Sequence, residues 1–419
     1  MKPSQRSDII IPTDDMKYIT KRMRRFCGFL AGFIFYISGI LKLIDPTGAG
    51  LVMDGYFDFL HLGFLDFSSK ILGTAFAFAE TLIGTALITG VWRKVTALAA
   101  MIFQGFFTLL TLLLVIFQPE MDCGCFGEAI HLTHWQTFLK NIGICLLLAG
   151  DFIPLKELGE PKKRKYTSFG LVTVSTLAFT IYSWMYIPLV DFTDYRPTAY
   201  IEAAERPSET DEGMYEAVFI YEKDGKQQTF DIDHLPDSTW TFVDTQTIVK
   251  DDEKDNTVSL SFYDSSEDYQ DSLAAQGKVM TVSVYKPEIA LKKWQRIAEF
   301  TEDASTEGFT VLILASMTPQ SAEELLAALP AETRDLIAGH LYFSDYKTLI
   351  TLNRSNAGVT FLSDGYIIRK WARRSTPDRD ELKETASIAE TEILIGHDSQ
   401  GSLTFQAFLL YVFAVMLLL

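Results

Sequence analysis

Apolar residues gather in long runs at both ends of the 419-residue chain and are missing from its middle. A helix needs about 20 apolar residues to cross the hydrocarbon layer of a bilayer. Six runs reach or approach that length: 26–44, 71–91, 95–117, 137–155, 166–190 and 403–419. Lys140 and Asn141 interrupt the fourth near its start. The pattern predicts six membrane-spanning helices, with a soluble insert between the fifth and the sixth. The first run has the basic start of a signal peptide, but no small-residue cleavage site follows it and further spans come next. A retained helix is expected.

Basic residues set the expected orientation. "KRMRRF" (21–26) precedes the first run, "WRK" (92–94) joins the second to the third, and "PKKRKY" (161–166) joins the fourth to the fifth. With six spans all three lie on one side, which should be the cytoplasm. Residues 45–70, the loop after residue 117 and the insert then lie on the other. Trp135, Trp184 and Tyr186 fall at the outer ends of their spans, where interfacial aromatics belong.

The insert changes rhythm partway. "YEAVFIYEKDGKQQTFDI" (215–232) carries two β-rich runs about Asp224-Gly225, a hairpin signal, and 240–249 and 257–263 continue as strands. From residue 278, strand-like runs alternate with helical spacing. Thr318 and Pro319 have the residue types of a helix cap and first position. A sheet with helices on both faces is expected there, preceded by a small β layer. Residues 191–400 hold 40 acidic and 20 basic side chains, whereas the whole chain is −17. Such an acidic insert excludes a nucleic-acid partner, whose phosphates it would repel; its simplest meaning is solubility.

Two of the four cysteines, Cys123 and Cys125, are separated by Gly124 alone in "FQPEMDCGCFGEAIHLTHW" (117–135). The predicted topology puts them on the oxidising side of the membrane, where disulfides persist. Gly124 lets the backbone fold tightly enough to bring the sulfurs together, and the small strained ring would be exchangeable. Two other readings stand beside the redox pair. His131 and His134 complete C-x-C-x5-H-x2-H, a possible but non-standard metal set. The stretch could also be a tight turn with buried thiols. Cys27 and Cys145 have packing as their default role.

Glu80 lies midway along the second run, where a charge costs a few kcal/mol, so it should be protonated or paired. Gln104 falls at a similar depth in the third run. A Glu80–Gln104 hydrogen bond is expected, either as interhelical glue or as part of a proton relay. Lys42, near the outer end of its span, can snorkel to the surface.

"GILKLIDP" (39–46), "FAETLIGTALITG" (78–90) and "DCGCFGEAI" (122–130) together resemble the DoxX/MauE-type membrane proteins of bacteria, over about residues 20–155. The resemblance implies a four-helix core in the bacterial inner membrane. Its MauE branch is linked to methylamine utilisation and disulfide formation, which would make Cys123 and Cys125 the redox pair. Residues 278–390, and "NRSNAGVTFLSDGYIIRKW" (353–371) in particular, look like a thioredoxin-like domain. Two departures matter. No cysteine stands near Lys286-Pro287-Glu288-Ile289, where a dithiol would be expected, and Ala357-Gly358 replaces the usual proline. Without a thiolate this domain should bind rather than react.

The fold expected is therefore an α-helical membrane protein, a four-helix DoxX/MauE-like core plus two further helices, with an α/β thioredoxin-like domain. Its segments are a cytoplasmic N-terminus (1–25), the core (26–155), a basic loop (156–165), the fifth span (166–190), a β-rich segment (191–277), the thioredoxin-like domain (278–400) and the last span (403–419). The expected role is extracytoplasmic thiol–disulfide chemistry through Cys123 and Cys125, with Glu80 and Gln104 as a proton path. The lipid bilayer and an extracytoplasmic protein are its partners. The cofactor is left unknown: a membrane quinone is a conceivable electron acceptor, although the sequence shows no quinone motif. The alternatives are a membrane-anchored scaffold and a metal-handling protein using Cys123, Cys125, His131 and His134.

Overall fold

The computed structural model describes residues 14–119, 121–153, 161–202, 215–223, 226–230, 240–249 and 257–418. The helices α1 (Asp14–Ile44), α2 (Pro46–Phe59), α3 (Ser69–Thr89) and α4 (Arg93–Phe117) come first. A short strand β1 (Cys125–Glu128), α5 (His134–Phe152) and α6 (Lys163–Met185) complete the N-terminal bundle. Residues 45–70, expected as an outer connection, hold α2 and a 3-10 turn (Gly63–Ser68).

The α1–α3 pair is the most extensive helix contact, and small residues explain it. A Cβ on Gly84 would lie 2.5 Å from the Tyr36 backbone nitrogen, so glycine lets the two backbones meet. Along α3 the hydroxyls of Thr81, Thr85 and Thr89 donate to the carbonyls of Ala77, Thr81 and Thr85. That consumes their polarity within the helix, so they can be buried at no unsatisfied cost.

Five segments among the described residues are long and apolar enough to cross a membrane: Arg22–Ile44, Gly63–Thr89, Arg93–Phe117, Lys163–Met185 and Gln400–Leu418. The chain is a multi-pass membrane protein. The expected span 137–155 is not among them; its counterpart is α5, which carries Lys140, Asn141 and Asp151. Yet α5 lies along α1 and α4 and runs the depth of the bundle. His134 at its start meets the Met121 carbonyl, and Asp151 near its end accepts from Arg24 through its carbonyl. Its polar side chains face protein: Asn141 Nδ2 donates to Thr111 Oγ1 at 3.1 Å. Interior hydrogen bonds thus substitute for apolarity.

The basic segments meet at one end of this bundle. Arg24 reaches Asp151, Arg93 lies beside the same residue, and Trp92 packs on Tyr166 with ring centroids 5.2 Å apart. At the opposite end sits the sheet-bearing domain, outer in the sense that it lies beyond the helical bundle.

That domain contains β2 (Tyr200–Glu202), β3 (Tyr215–Lys223), β4 (Lys226–Phe230), β5 (Thr241–Val249), β6 (Thr257–Ser259) and β7 (Lys278–Val284). There follow α7 (Leu291–Thr306), β8 (Thr310–Ala315), α8 (Pro319–Ala328), α9 (Ala331–Ala338), β9 (Leu341–Phe343) and α10 (Tyr346–Leu352). The chain then forms β10 (Gly358–Ser363), β11 (Tyr366–Trp371), α11 (Arg379–Ser387) and α12 (Glu390–Leu418). The main sheet has the order β6-β2-β11-β10-β7-β8-β9. Its β7, β8 and β9 are parallel, and β10 is antiparallel to both β7 and β11.

Alternate residues of β7 feed two cores. Met280 and Val282 pack with Trp294, Ile297 and Phe300 of α7, while Val279 packs with Leu349 and Ile350 of α10. Helices therefore cover both faces, as expected. The β layer expected over 191–277 is divided. Strands β2 and β6 extend the main sheet, and β4-β3-β5 form a sheet of their own. The hairpin tip at Asp224-Gly225 lies outside the described residues, although β3 and β4 pair antiparallel on either side of it. The last helix is continuous. Glu390 bonds Ser363 and Lys278 in the outer domain, and α12 then enters the bundle beside α6.

Candidate functional site

The CGC stretch lies where the bundle meets the outer domain. Residues 124–127 form a tight turn, with Gly127 N–H donating to the Gly124 carbonyl at 3.3 Å. Gly124 has φ +58°, and a Cβ there would come within 2.3 Å of Val52 on α2. Both facts require glycine. Tyr56 of α2 donates to the Cys123 carbonyl at 2.9 Å. Cys123 is only 4% exposed, packed against Tyr56, Leu110 and Leu114. Cys125 packs on the same cluster but is partly exposed. Burial pushes the Cys123 thiol up.

Cys125 also borders a polar cavity of about 30 Å³ inside the bundle, lined in part by Ser38, Lys42, Glu80, Gln104 and Asn141. That volume has room for about one water. Lys42 Nζ lies 2.6 Å from Glu80 Oε2 and donates to Ser38 Oγ at 3.3 Å. Ser38 in turn donates to the Cys125 carbonyl. A polar chain thus links mid-bundle Glu80 to the CGC turn.

Two sequence expectations change here. The partner of Glu80 is Lys42, not Gln104, whose amide donates to the Asn141 carbonyl at 3.3 Å and to Thr108. Lys42 does not snorkel, because an acidic partner within the bundle outweighs the pull of the surface. Gln104 and Glu80 still border the same cavity. The histidines point to other partners. His131 pairs with Asp122 at 3.4 Å on the surface, and His134 Nε2 lies 3.0 Å from the Met121 carbonyl. Among the described residues no three His, Cys, Asp or Glu side chains converge as metal ligands would.

Sequence reasoning missed the group that joins the two halves. Asp45 closes α1 and caps α2: its Oδ1 accepts from Thr47 N and Gly48 N at 3.1 and 2.9 Å, with Pro46 at the first helical position. Its other oxygen, Oδ2, accepts from Arg354 Nε at 2.8 Å. Arg354 Nη2 reaches Glu128 Oε1, also at 2.8 Å. The Arg354 side chain is 4% exposed. It stands in the loop between α10 and β10, whose Arg354 carbonyl accepts from Tyr285 at 3.1 Å. Burial raises the Glu128 carboxyl above the usual range, and the Arg354 charge works against that shift. "DP" could have been read as a helix start, but nothing in the sequence ties Asp45 to an arginine 309 positions away.

The loop after β7 lies alongside. Lys286 N–H donates to Asn356 Oδ1 at 3.0 Å, and Asn356 Nδ2 returns a bond to the Lys286 carbonyl at 2.8 Å. Ala357 follows with φ +62°, and its N–H donates to the Ser283 carbonyl.

Comparison with known proteins adds two findings. Residues 215–251 match a domain of unknown function, DUF8463. No curated protein and no solved structure matches the chain. Residues 20–153 match the family described as methylamine utilisation protein MauE, so the helical bundle of this multi-pass membrane protein is similar to that family.

Proposed function

We propose that the chain takes part in thiol–disulfide exchange at the non-cytoplasmic face of the bacterial inner membrane, with Cys123 and Cys125 as the exchanging pair. The observation that carries this reading is the placement of the CGC turn: both cysteines pack on one cluster, at the end of the bundle covered by the outer domain and opposite the basic segments. A basic end favours the cytoplasm, so the opposite end faces the compartment where disulfides persist.

In the exchange, a substrate thiolate attacks the more exposed sulfur, Cys125, of the oxidised pair. A mixed disulfide forms, and the Cys123–Cys125 bond breaks. Cys123 leaves as a thiolate and takes up a proton, which its raised affinity favours. A second substrate thiolate then attacks the substrate sulfur and releases Cys125. The substrate gains a disulfide, and the protein pair keeps the two electrons. The Glu80–Lys42–Ser38 chain is the candidate proton path.

The outer domain is read as thioredoxin-like. The strand order β8-β7-β10-β11 supports this, with β7 and β8 parallel and β10 and β11 antiparallel. The two loops that would carry the dithiol and the proline, at Lys286–Ile289 and Ala357, lie side by side and have no cysteine. The neighbouring Arg354 reaches the CGC turn through Glu128. The domain thus presents its binding edge to the bundle, whose cysteines stand in for the missing dithiol.

Thiol trapping in native membranes tests this. Acid-quenched and alkylated membranes are expected to hold the native chain with a Cys123–Cys125 disulfide and with a mixed disulfide on Cys125 that Cys125→Ala abolishes. If both thiols stay reduced in the cell and nothing is trapped, the exchange reading fails. The burial of Cys123 then favours the second reading, a membrane-anchored platform for a protein partner.

A further inference from the structure

A second cavity, of about 210 Å³, opens beside the Arg354 junction. Lys70, Arg354, Arg373 and Arg374 border it together with Trp184 and Tyr186, and no carboxylate does. Asp45 and Glu128 neutralise Arg354. Arg373 and Arg374 have no such compensation, and Lys70 feels only the Asp45 charge that Arg354 already engages. Lys70 Nζ donates to the neutral Thr47 hydroxyl at 2.9 Å and stands 4.9 Å above the Trp184 ring. Arg373 and Arg374 are exposed and have no ion-pair partner among the described residues. Two unpaired arginines and a lysine in one pocket run against an insert with twice as many acidic as basic side chains. They create a local positive field aimed into a concavity.

The height of the pocket narrows the ligand. Trp184 and Tyr186 stand at the end of the apolar helix α6, and Lys70 stands near the start of α3. Both helices are long and apolar enough to span. An aromatic pair at that position marks the level of the lipid headgroups. The pocket also shares Tyr186, Arg373 and Arg374 with a larger groove of about 780 Å³ along α7.

We propose that this cavity holds the phosphate of an anionic phospholipid headgroup. Arg373 and Arg374 are the principal donors, Lys70 supplies a third positive charge, and Trp184 and Tyr186 flank the glycerol end. Guanidinium groups suit phosphate because their planar N–H pairs can engage two oxygens at once. The assignment is independent of the redox reading, because neither cysteine borders the pocket.

The test uses the full chain in nanodiscs of equal phosphatidylglycerol and phosphatidylcholine, with retained lipid read by native mass spectrometry. Phosphatidylglycerol should be enriched, and Arg373→Gln and Arg374→Gln should each reduce the enrichment about fivefold. Arg334→Gln, a surface arginine paired with Asp335, should leave it unchanged. Equal retention of the two lipids would overturn the proposal, as would enrichment that survives in the double variant with unchanged thermal unfolding. Inorganic phosphate binding to the delipidated chain more tightly than phosphatidylglycerol would overturn the lipid assignment.

Discussion

Arg354 of the outer domain donates through Nη2 to Glu128, three residues beyond Cys125, at 2.8 Å. Through Nε it also holds Asp45 at the end of the first helix. One buried guanidinium therefore ties the domain both to the CGC turn and to the start of α2. Arg354→Met should destabilise the assembly by about 3–5 kcal/mol, because two shielded carboxylates lose their counter-charge. Thermal unfolding of the detergent-solubilised chain, with protease release of the outer domain, measures this. Adding Glu128→Gln should recover part of the loss, since one of the stranded charges is then gone.

The pH response of this contact has a definite sign. Burial holds Glu128 above the ordinary carboxylate range, so the folded chain keeps that proton more tightly than the unfolded one does. Its contribution is complete below the unfolded value and is lost as pH rises through the raised folded value. Stability should therefore fall with rising pH just above the ordinary carboxylate range. Glu128→Gln should flatten that part of a stability-against-pH profile.

Thiol reactivity should separate the two cysteines. Cys123 is buried and its thiol is pushed up, whereas Cys125 is partly exposed. In the reduced chain at pH 8, maleimide should label Cys125 first, and Cys123 should follow at least about tenfold more slowly, because attack needs a thiolate and access. Mass mapping of labelled peptides over time gives the ratio. Because the folded thiol is raised, its contribution to stability is lost as pH climbs above the ordinary cysteine value.

The helix contact at Gly84 gives a test of the bundle alone. A Cβ there would meet Tyr36 backbone atoms at 2.5 and 2.9 Å, so Gly84→Val must force α1 and α3 apart. A loss of about 1–3 kcal/mol is expected from such overpacking, read as a lower unfolding temperature. Thr85→Ser, which keeps the hydroxyl bonded to Thr81, should be close to neutral.

Ala357 offers the opposite result. It is buried with φ +62°, a left-handed conformation that an L side chain adopts only with strain. Ala357→Gly should raise stability by up to about 1 kcal/mol. Ala357→Pro should lower it, since the N–H bonded to Ser283 disappears and φ cannot be met.

Elements with a strong local signal were legible from sequence. The long apolar runs announced α1, α3, α4, α6 and α12, and the "TPQS" cap announced α8, whose Thr318 does accept from Ser321 N–H. The glycine between Cys123 and Cys125 signals a backbone able to fold tightly, and Gly124 does take φ +58°. The failures were long-range. Glu80 and Gln104 sit at a shared depth, but depth alone does not tell which face of a helix a side chain takes, and Lys42 lay closer to the acid. The division of the β segment depended on β2 and β6 pairing in parallel and joining β11, a relation between residues 200, 257 and 366 that no local pattern carries. Asp45 and Arg354 looked like a cap and a loop residue because each is complete as such until the fold brings them together.

The outer domain is fastened where the chain leaves it as well as where the chain arrives. Lys370 grips Asp191 at 2.7 Å just after α6, and at the other end one unbroken helix carries Glu390 on into the bundle. A module held by two rods has no swinging arm. Any rocking that uncovers the CGC turn must tilt α12 against α6, so opening the cover and shifting the membrane helices would be a single motion.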